Sequence, residues 1–344
     1  MVIQITIKKN NIYYGNRYYD FNKITSLDNY NEITAISCWR QELNSLPEKL
    51  PNSLQYLHCS NNQLTTLPQL PNSLQDLRCS NNQLTVLPKI PNSLQSLECS
   101  NNQLSILPKL SSSLRTLDCS YNRLIALPKL PNSLQTLNCN NNQLTTLPEL
   151  PNSLKYLDCS GNKLTVLPKI PNSLQHLNCY NNQLIVLPQL QCNSNGTLPN
   201  SLQQLICYNN QLTSLPNLPN SLQHLNCYNN QLTSLPNLPI SLSRLNCSYN
   251  QLSILPQLPA SLEEYDYYNN LFKFKYTVMI YIKYIDMMSW KVNNMKTNKF
   301  NYDKQLVNIT QCEYLDSSYH PRNRFCKKKL QFSFDDLFDD DQFI

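Results

Sequence analysis

Eleven cysteines recur through the chain at a near-constant interval: Cys38, Cys59, Cys79, Cys99, Cys119, Cys139, Cys159, Cys179, Cys207, Cys227 and Cys247. A thiol at fixed spacing has four possible uses: half of a disulfide, a metal ligand, a nucleophile or a small apolar plug. The first needs paired side chains that approach each other. Thiols repeated in one register point the same way and suit disulfide geometry poorly. Metal binding asks for CxxC-like clusters or nearby histidines, and no such cluster is present. A nucleophile needs a base, and the chain has four histidines, three of them inside the repeated segments, with no Ser/His/Asp or HExxH grouping. The remaining use is the core plug, in keeping with free cysteine being among the most buried residue types.

The residues that must position the cysteine are themselves repeated. "LPNSLQYLHCSNNQLTTLPQ" (50–69) is followed by "LPNSLQDLRCSNNQLTVLPK" (70–89). The step is 20 residues, except 21 for the first and 28 from Cys179 to Cys207, and Tyr267 takes the cysteine's place in a twelfth, degenerate unit. Leu57 and Cys59 alternate with His58 and Ser60, the period of a strand with one buried face. Asn61-Asn62 turns the chain, and Leu64 and Leu67 point back inward. Pro68 and Pro71 keep the return segment extended or polyproline-like rather than helical. Leu54 and Leu70 complete an inward set of six. One such unit cannot bury enough to order itself, so the units must stack into a continuous parallel sheet. At roughly 4.8 Å per strand, about 12 units span on the order of 55 Å.

"LxxLxCxxNxL" resembles the leucine-rich repeat pattern, with Cys at its third apolar position. The full unit "LPxLPxSLxxLxCxxNxL" is similar to the short 20-residue repeats of bacterial effector proteins, over about residues 33–272. With the richness in Asn, Tyr, Ile and Lys, the chain looks most like the leucine-rich repeat proteins of mimivirus-type giant viruses. The resemblance implies a leucine-rich repeat solenoid: a curved parallel β-sheet, an extended convex side, little α-helix, an N-terminal β cap and a C-terminal cap. It also implies that the turn asparagines (Asn62, Asn82 and onward to Asn270) bond backbone groups of adjacent turns. The first unit departs, with Gln41 in that place.

The organisation that follows is a cap over 1–32, the repeat array over 33–272 and a C-terminal cap with a flexible acidic-aromatic tail over 273–344. In the first segment "KKNN" reads as the turn of a hairpin. Eight extra residues near 190–198, carrying Asn195-Gly196, read as an extruded loop. "FSFDDLFDDDQFI" closes the chain and could dock on a basic groove.

Charge narrows the function. The net is +6, yet residues 50–270 carry 10 basic and 8 acidic side chains, too balanced for a phosphate-tracking surface. Only Gly15, Gly161 and Gly196 are present, which removes the glycine-rich phosphate loops. The start "MVIQITIKKNN" has neither the order nor the length of a secretion signal, and "YTVMIYIKYIDMM" (276–288) falls short of the roughly 20 residues of a membrane span. The expectation is a cytoplasmic protein with reduced thiols, with no cofactor or metal and with neither nucleic acid nor membrane as a partner.

Binding residues are sought where the copies differ. Three outward columns start at Tyr56, His58 and Ser60. Their first half is small and mildly acidic. Their second half gathers Tyr180, Tyr208, Tyr228 and Tyr268 beside His176, His224 and Arg244. Tyr and Arg are enriched in interface hot spots. Tyrosine also recurs by duplication, since "CYNNQL" occurs three times. Lys89, Lys109, Lys129 and Lys169 form another column on the convex side, read as a solvated face. The expected function is a non-catalytic, monomeric scaffold that binds an unknown protein on the concave face. Two alternatives stand beside it. One is a ubiquitin-ligase-like effector using Cys312, although the aspartate two residues after the cysteine is missing and about 70 residues are too few for that domain. The other is an adaptor acting through its tail.

Overall fold

The computed structural model describes residues 3–9, 12–18, 20–190 and 201–272. The loop near 190–198 (from residue 191 on), Cys312 and the C-terminal segment from 273 lie outside the described residues. Two compact units are present. One comprises Met1–Gln251 and Leu255–Tyr267; the other, within the described residues, comprises Leu252–Ile254 and 268–272.

The first unit is organised by one 14-stranded sheet. It begins with a hairpin, β1 (Ile3–Lys9) and β2 (Ile12–Tyr18), paired antiparallel with Lys9 opposite Ile12. A short helix, α1 (Phe21–Thr25), follows; Asp20 caps it by accepting the Asn22 N–H at 2.9 Å. Strand β3 (Ile33–Ser37) then pairs antiparallel with β1, so β1 covers the sheet's first edge. Ile3, Ile5 and Ile7 of β1 and Ile24 of α1 are buried. An exposed strand edge invites pairing with another chain, and this hairpin takes the place of such a partner.

From β3 onward every neighbouring pair is parallel. The strands are β4 (Tyr56–His58), β5 (Asp76–Arg78), β6 (Ser96–Glu98), β7 (Thr116–Asp118), β8 (Thr136–Asn138), β9 (Tyr156–Asp158), β10 (His176–Asn178), β11 (Gln204–Ile206), β12 (His224–Asn226), β13 (Arg244–Asn246) and β14 (Glu264–Asp266). Register is exact in repeat units: Leu57 faces Leu77, Leu77 faces Leu97, and so on to Leu245 facing Tyr265. The result is a parallel β-solenoid of about 11 turns with almost no helix.

Each turn is held by three devices. Leucines at the positions of Leu54, Leu57 and Leu64 are fully buried from the second turn to that of Cys247, with the cysteine between them. The leucine of the return segment is looser: Leu87, Leu107 and Leu167 are buried, whereas Leu67, Leu127 and Leu147 are half-buried. The second device is the asparagine pair. Its first member adopts the left-handed conformation, as at Asn61 (φ 58°), Asn81 (φ 56°) and Asn101 (φ 51°). Asparagine tolerates that region better than most residues. Gly161 (φ 61°) holds the same place, and a Cβ there would lie 2.6 Å from Asn141 Oδ1. Its second member carries the inter-turn bonds. Asn142 Oδ1 accepts the Leu124 N–H at 3.0 Å, while Nδ2 donates to the Cys119, Cys139 and Asn140 carbonyls at 3.0, 3.1 and 3.2 Å. The pattern recurs from Asn62 to Asn250, and Gln41, in the first turn, instead gives its own N–H to Asn62 Oδ1 at 2.9 Å. Third is a serine ladder: Ser73 Oγ donates to the Leu54 carbonyl at 2.7 Å, Ser93 to Leu74 at 2.6 Å and Ser153 to Leu134 at 2.6 Å.

Cys139→Ala removes a fully buried sulfur from the middle of this column. The expected cost is about 1–2 kcal/mol through the cavity left behind, with Cys139→Val milder because it refills the space. Chemical denaturation of the two variants checks the order.

Candidate functional site

The strands are only three residues long, so their outward positions are few and the rest of each turn is structural. Two columns are true strand positions: Tyr56 to Glu264 and His58 to Asp266. The third expected column, at Ser60, behaves differently. Ser60, Ser80, Ser120, Ser160 and Ser248 are buried, because the chain is already bending into the turn there. Where the serine follows an aspartate, it caps it: Ser160 donates from N at 3.0 Å and from Oγ at 2.6 Å to Asp158 Oδ1. The same pair forms at Asp118 and Ser120. Asp158 is only 6% exposed, and its other oxygen accepts from Asn140 Nδ2 at 3.3 Å and Asn178 Nδ2 at 3.5 Å.

Tyrosine is too large for that buried niche, so it emerges. Tyr180, Tyr208 and Tyr228 are each half-buried. Tyr180 and Tyr208 stack with centroids 4.5 Å apart and planes 10° apart. Tyr208 meets Tyr228 edge-on at 6.4 Å. The series then continues to a residue the sequence reading did not select: Tyr249 contacts Tyr228 edge-on at 5.1 Å. Tyr249 sits in the left-handed turn position (φ 54°), one residue beyond the serine that interrupts the tyrosine run. That Ser248-Tyr249 order was the available signal. Aromatic contacts of this kind contribute about 0.5–1.5 kcal/mol each beyond area burial. Tyr268 belongs to the second compact unit and is half-buried.

His176, His224 and Arg244 stand at the other outward column, separated from the tyrosines by Asn178, Ile206, Asn226 and Asn246. His176 Nδ1 lies 3.1 Å from Gln204 Oε1, and its ring is 6.1 Å from that of Tyr156. Burial and the neighbouring Arg244 hold His224 below the usual imidazole range, against a smaller opposing pull from Glu264, so its ring is neutral near pH 7. Arg244 Nε pairs with Glu264 at 3.3 Å on the exposed surface. Within the first unit, Tyr180, Tyr208 and Tyr228 thus form an aromatic row and His176, His224 and Arg244 a parallel polar row, rather than one cluster. Among the described residues no group of three or more His, Cys, Asp or Glu is arranged to hold a metal ion.

The cysteines take no part in this face. All eleven described ones are free and buried. Burial pushes Cys79 and Cys227 up to about 12 from an ordinary 9.0, and drives Cys139 well above that value, with adjacent thiols and aspartates adding to the effect. A thiol held protonated is not a nucleophile.

With fold and site in view, the class follows: the chain is built of leucine-rich repeats. A family model, Leucine Rich repeats (2 copies), matches residues 112–152 and 132–172, and a second, Leucine Rich Repeat, matches 53–72. Among solved structures, the chain is similar to YopM, a leucine-rich effector protein from Yersinia pestis, at 41% identity and TM-score 0.64, covering 69% of this chain and 66% of that one. It is similar also to YopM from Yersinia enterocolitica WA-314, at 38% identity and TM-score 0.57, covering 66% and 53%. The chain therefore spans less than two thirds of the length of either. Fold alone is shared with a chain of the Drosophila Toll–Spatzle complex, at 22% identity and TM-score 0.52, covering 67% and 37%. A search of curated protein sequences found no match.

The thiol column makes stability sensitive to alkali. Because the folded-state values are raised, the folded protein keeps its thiol protons where the unfolded chain loses them. Stability is therefore complete below about pH 9 and falls above it, by about 1.4 kcal/mol per thiol per pH unit. Eleven thiols acting together exceed the stability of an ordinary domain within roughly one to two units. Cooperative loss of the β circular-dichroism signal between about pH 9 and about pH 11 is expected, with thiolate absorbance rising in the same transition. Ionisation of more than three thiols, the number the chain carries besides these eleven, well before loss of the signal would contradict the buried column.

Proposed function

We propose that the chain is a non-catalytic scaffold whose concave, strand-bearing face binds a protein or peptide. The observation that carries this is the aromatic row. Four tyrosine rings on consecutive turns β10–β13 touch one another and remain partly exposed. Tyrosine offers large contact area at low entropic cost, and such residues dominate interface energetics. The core beneath repeats the same leucine, cysteine and asparagine from the turn of Cys59 to that of Cys247. The face therefore varies from turn to turn without disturbing the packing. Leucine-rich repeat proteins generally bind protein partners, and a partner complex is known for the Toll fold relative.

We further read the protein as monomeric, and as a product of a mimivirus-type giant virus acting in its host's cytoplasm. Support for the source comes from the Asn, Tyr, Ile and Lys richness and the wording of the repeat. Support for the compartment comes from the long run of free thiols.

Tyr208→Ala with Tyr228→Ala tests the surface. The far-UV spectrum should stay unchanged, since both rings are half-exposed, while affinity for partners captured from host lysate falls by about 2 kcal/mol, roughly thirtyfold. Affinity capture with quantitative mass spectrometry, wild type against the double variant, reads this out. Identical capture by both would place the partner surface elsewhere.

A further inference from the structure

Resting on the strand face as the partner surface, we propose that the segment it takes is a basic, extended peptide, with Arg or Lys side chains set over the acidic residues of β5, β6, β7 and β9 and the tyrosines that follow β10–β12.

Charge in the array is segregated by side. Of the eight acidic side chains in residues 50–270, six stand on the two outward strand columns: Asp76, Glu98, Asp118, Asp158, Glu264 and Asp266. Of the ten basic ones, only Arg78 and Arg244 do. The face carries −4 on a chain whose net charge is +6. Its own cations do not offset this. Arg78 is held between Asp76 at 3.1 Å and Glu98 at 3.7 Å, and Arg244 is held by Glu264. Asp118 and Asp158 meet serine and asparagine donors instead. Consistent with a surplus of negative charge, Glu98 is pushed up by burial and by Asp76 and Asp118 against the pull of Arg78.

The acidic stretch runs directly into the aromatic one. Tyr156 and Asp158 share strand β9, and Tyr180 lies on the next turn. The outward strand positions of β9–β12 carry no Lys or Arg, and burial beside Arg244 holds His224 below the usual imidazole range. A guanidinium or ammonium over a tyrosine face gains a cation–π contact, and over Asp118 a charge-assisted hydrogen bond. The same field disfavours nucleic acid and anionic lipid. From β5 to β12 the face is about 34 Å long at roughly 4.8 Å per strand, the reach of about ten residues of extended chain.

Fluorescence anisotropy on the full chain with labelled peptides of about twelve residues, alternating Arg-Ala, Ser-Ala or Glu-Ala, tests this. The Arg-Ala peptide should bind. Its affinity should fall about tenfold in Asp76→Asn/Glu98→Gln/Asp118→Asn and fall with added salt, and should not change in Glu149→Gln/Glu263→Gln, which lies off the two columns. Asparagine at 118 keeps the turn, since Asn138, Asn226 and Asn246 accept the equivalent N–H at 3.3, 3.2 and 3.1 Å. Failure of the Arg-Ala peptide to bind, or binding that survives the three neutralising changes, overturns the proposal. Ser-Ala binding that is lost in Tyr208→Ala/Tyr228→Ala would overturn the basic chemistry while leaving the strand face as a binding surface. Unchanged lysate capture by that double variant would overturn the surface itself.

Discussion

One buried side-chain amide per turn is the interaction on which the rest of the structure depends. A turn that folds sharply inside a solenoid leaves backbone N–H and C=O groups out of reach of water, and each unpaired group costs about 1–3 kcal/mol. Asparagine is the short side chain that offers an NH₂ donor and a separate carbonyl acceptor there. Asn142 joins Leu124 and Cys119 of one turn to Cys139 and Asn140 of its own. Glutamine is longer and does not reproduce this, as Gln41 shows: in the first turn its Nε2 bonds the adjacent Trp39 and Arg40 carbonyls instead.

Because the amide, the leucines and the cysteine satisfy the interior from the turn of Cys59 to that of Cys247, the outward column that starts at Tyr56 can vary without disturbing it. That freedom is what allows Tyr56, Asp76, Ser96 and Thr116 to occupy equivalent positions. It also explains why the cysteine, the residue type with the most chemistry to offer, is chemically quiet. Its place is set by the small space between the strand and the turn, and the same burial that suits a compact sulfur holds its proton. At the end of the array Tyr267 takes that place and stacks on Tyr265 at 5.3 Å, an aromatic pair instead of a thiol and a leucine.

Much of this was legible because it is periodic. Repetition at 20 residues identifies Leu54, Leu57, Cys59 and Leu64 as inward, and burial agrees at each. Asn62 was assigned its role through resemblance, and the bonds are those it implied. Three features were not legible. Alternation placed Ser60 on the open face, yet the strand is only three residues long and the serine falls in the bend. The serine ladder at Ser73 was hidden because "NS" reads as generic turn sequence, and its Oγ partners lie in a preceding turn. Tyr249 escaped because it occupies a turn register in sequence and joins the aromatic row only in space. The last two misses concern residues whose partners lie on another turn, where a single repeat unit holds no information.

The amide ladder is tested most directly by urea denaturation of two variants within one dipeptide. Asn142→Ala strips partners from buried groups on two turns and is expected to cost about 3–5 kcal/mol. Asn141→Gly changes a left-handed position that Gly161 already occupies in the next turn and removes one exposed hydrogen bond, Asn141 Nδ2 to Asn140 Oδ1 at 3.0 Å, and is expected to stay within about 1 kcal/mol of wild type. Equal midpoints for the two variants would contradict the amide ladder as the bond that holds the turns.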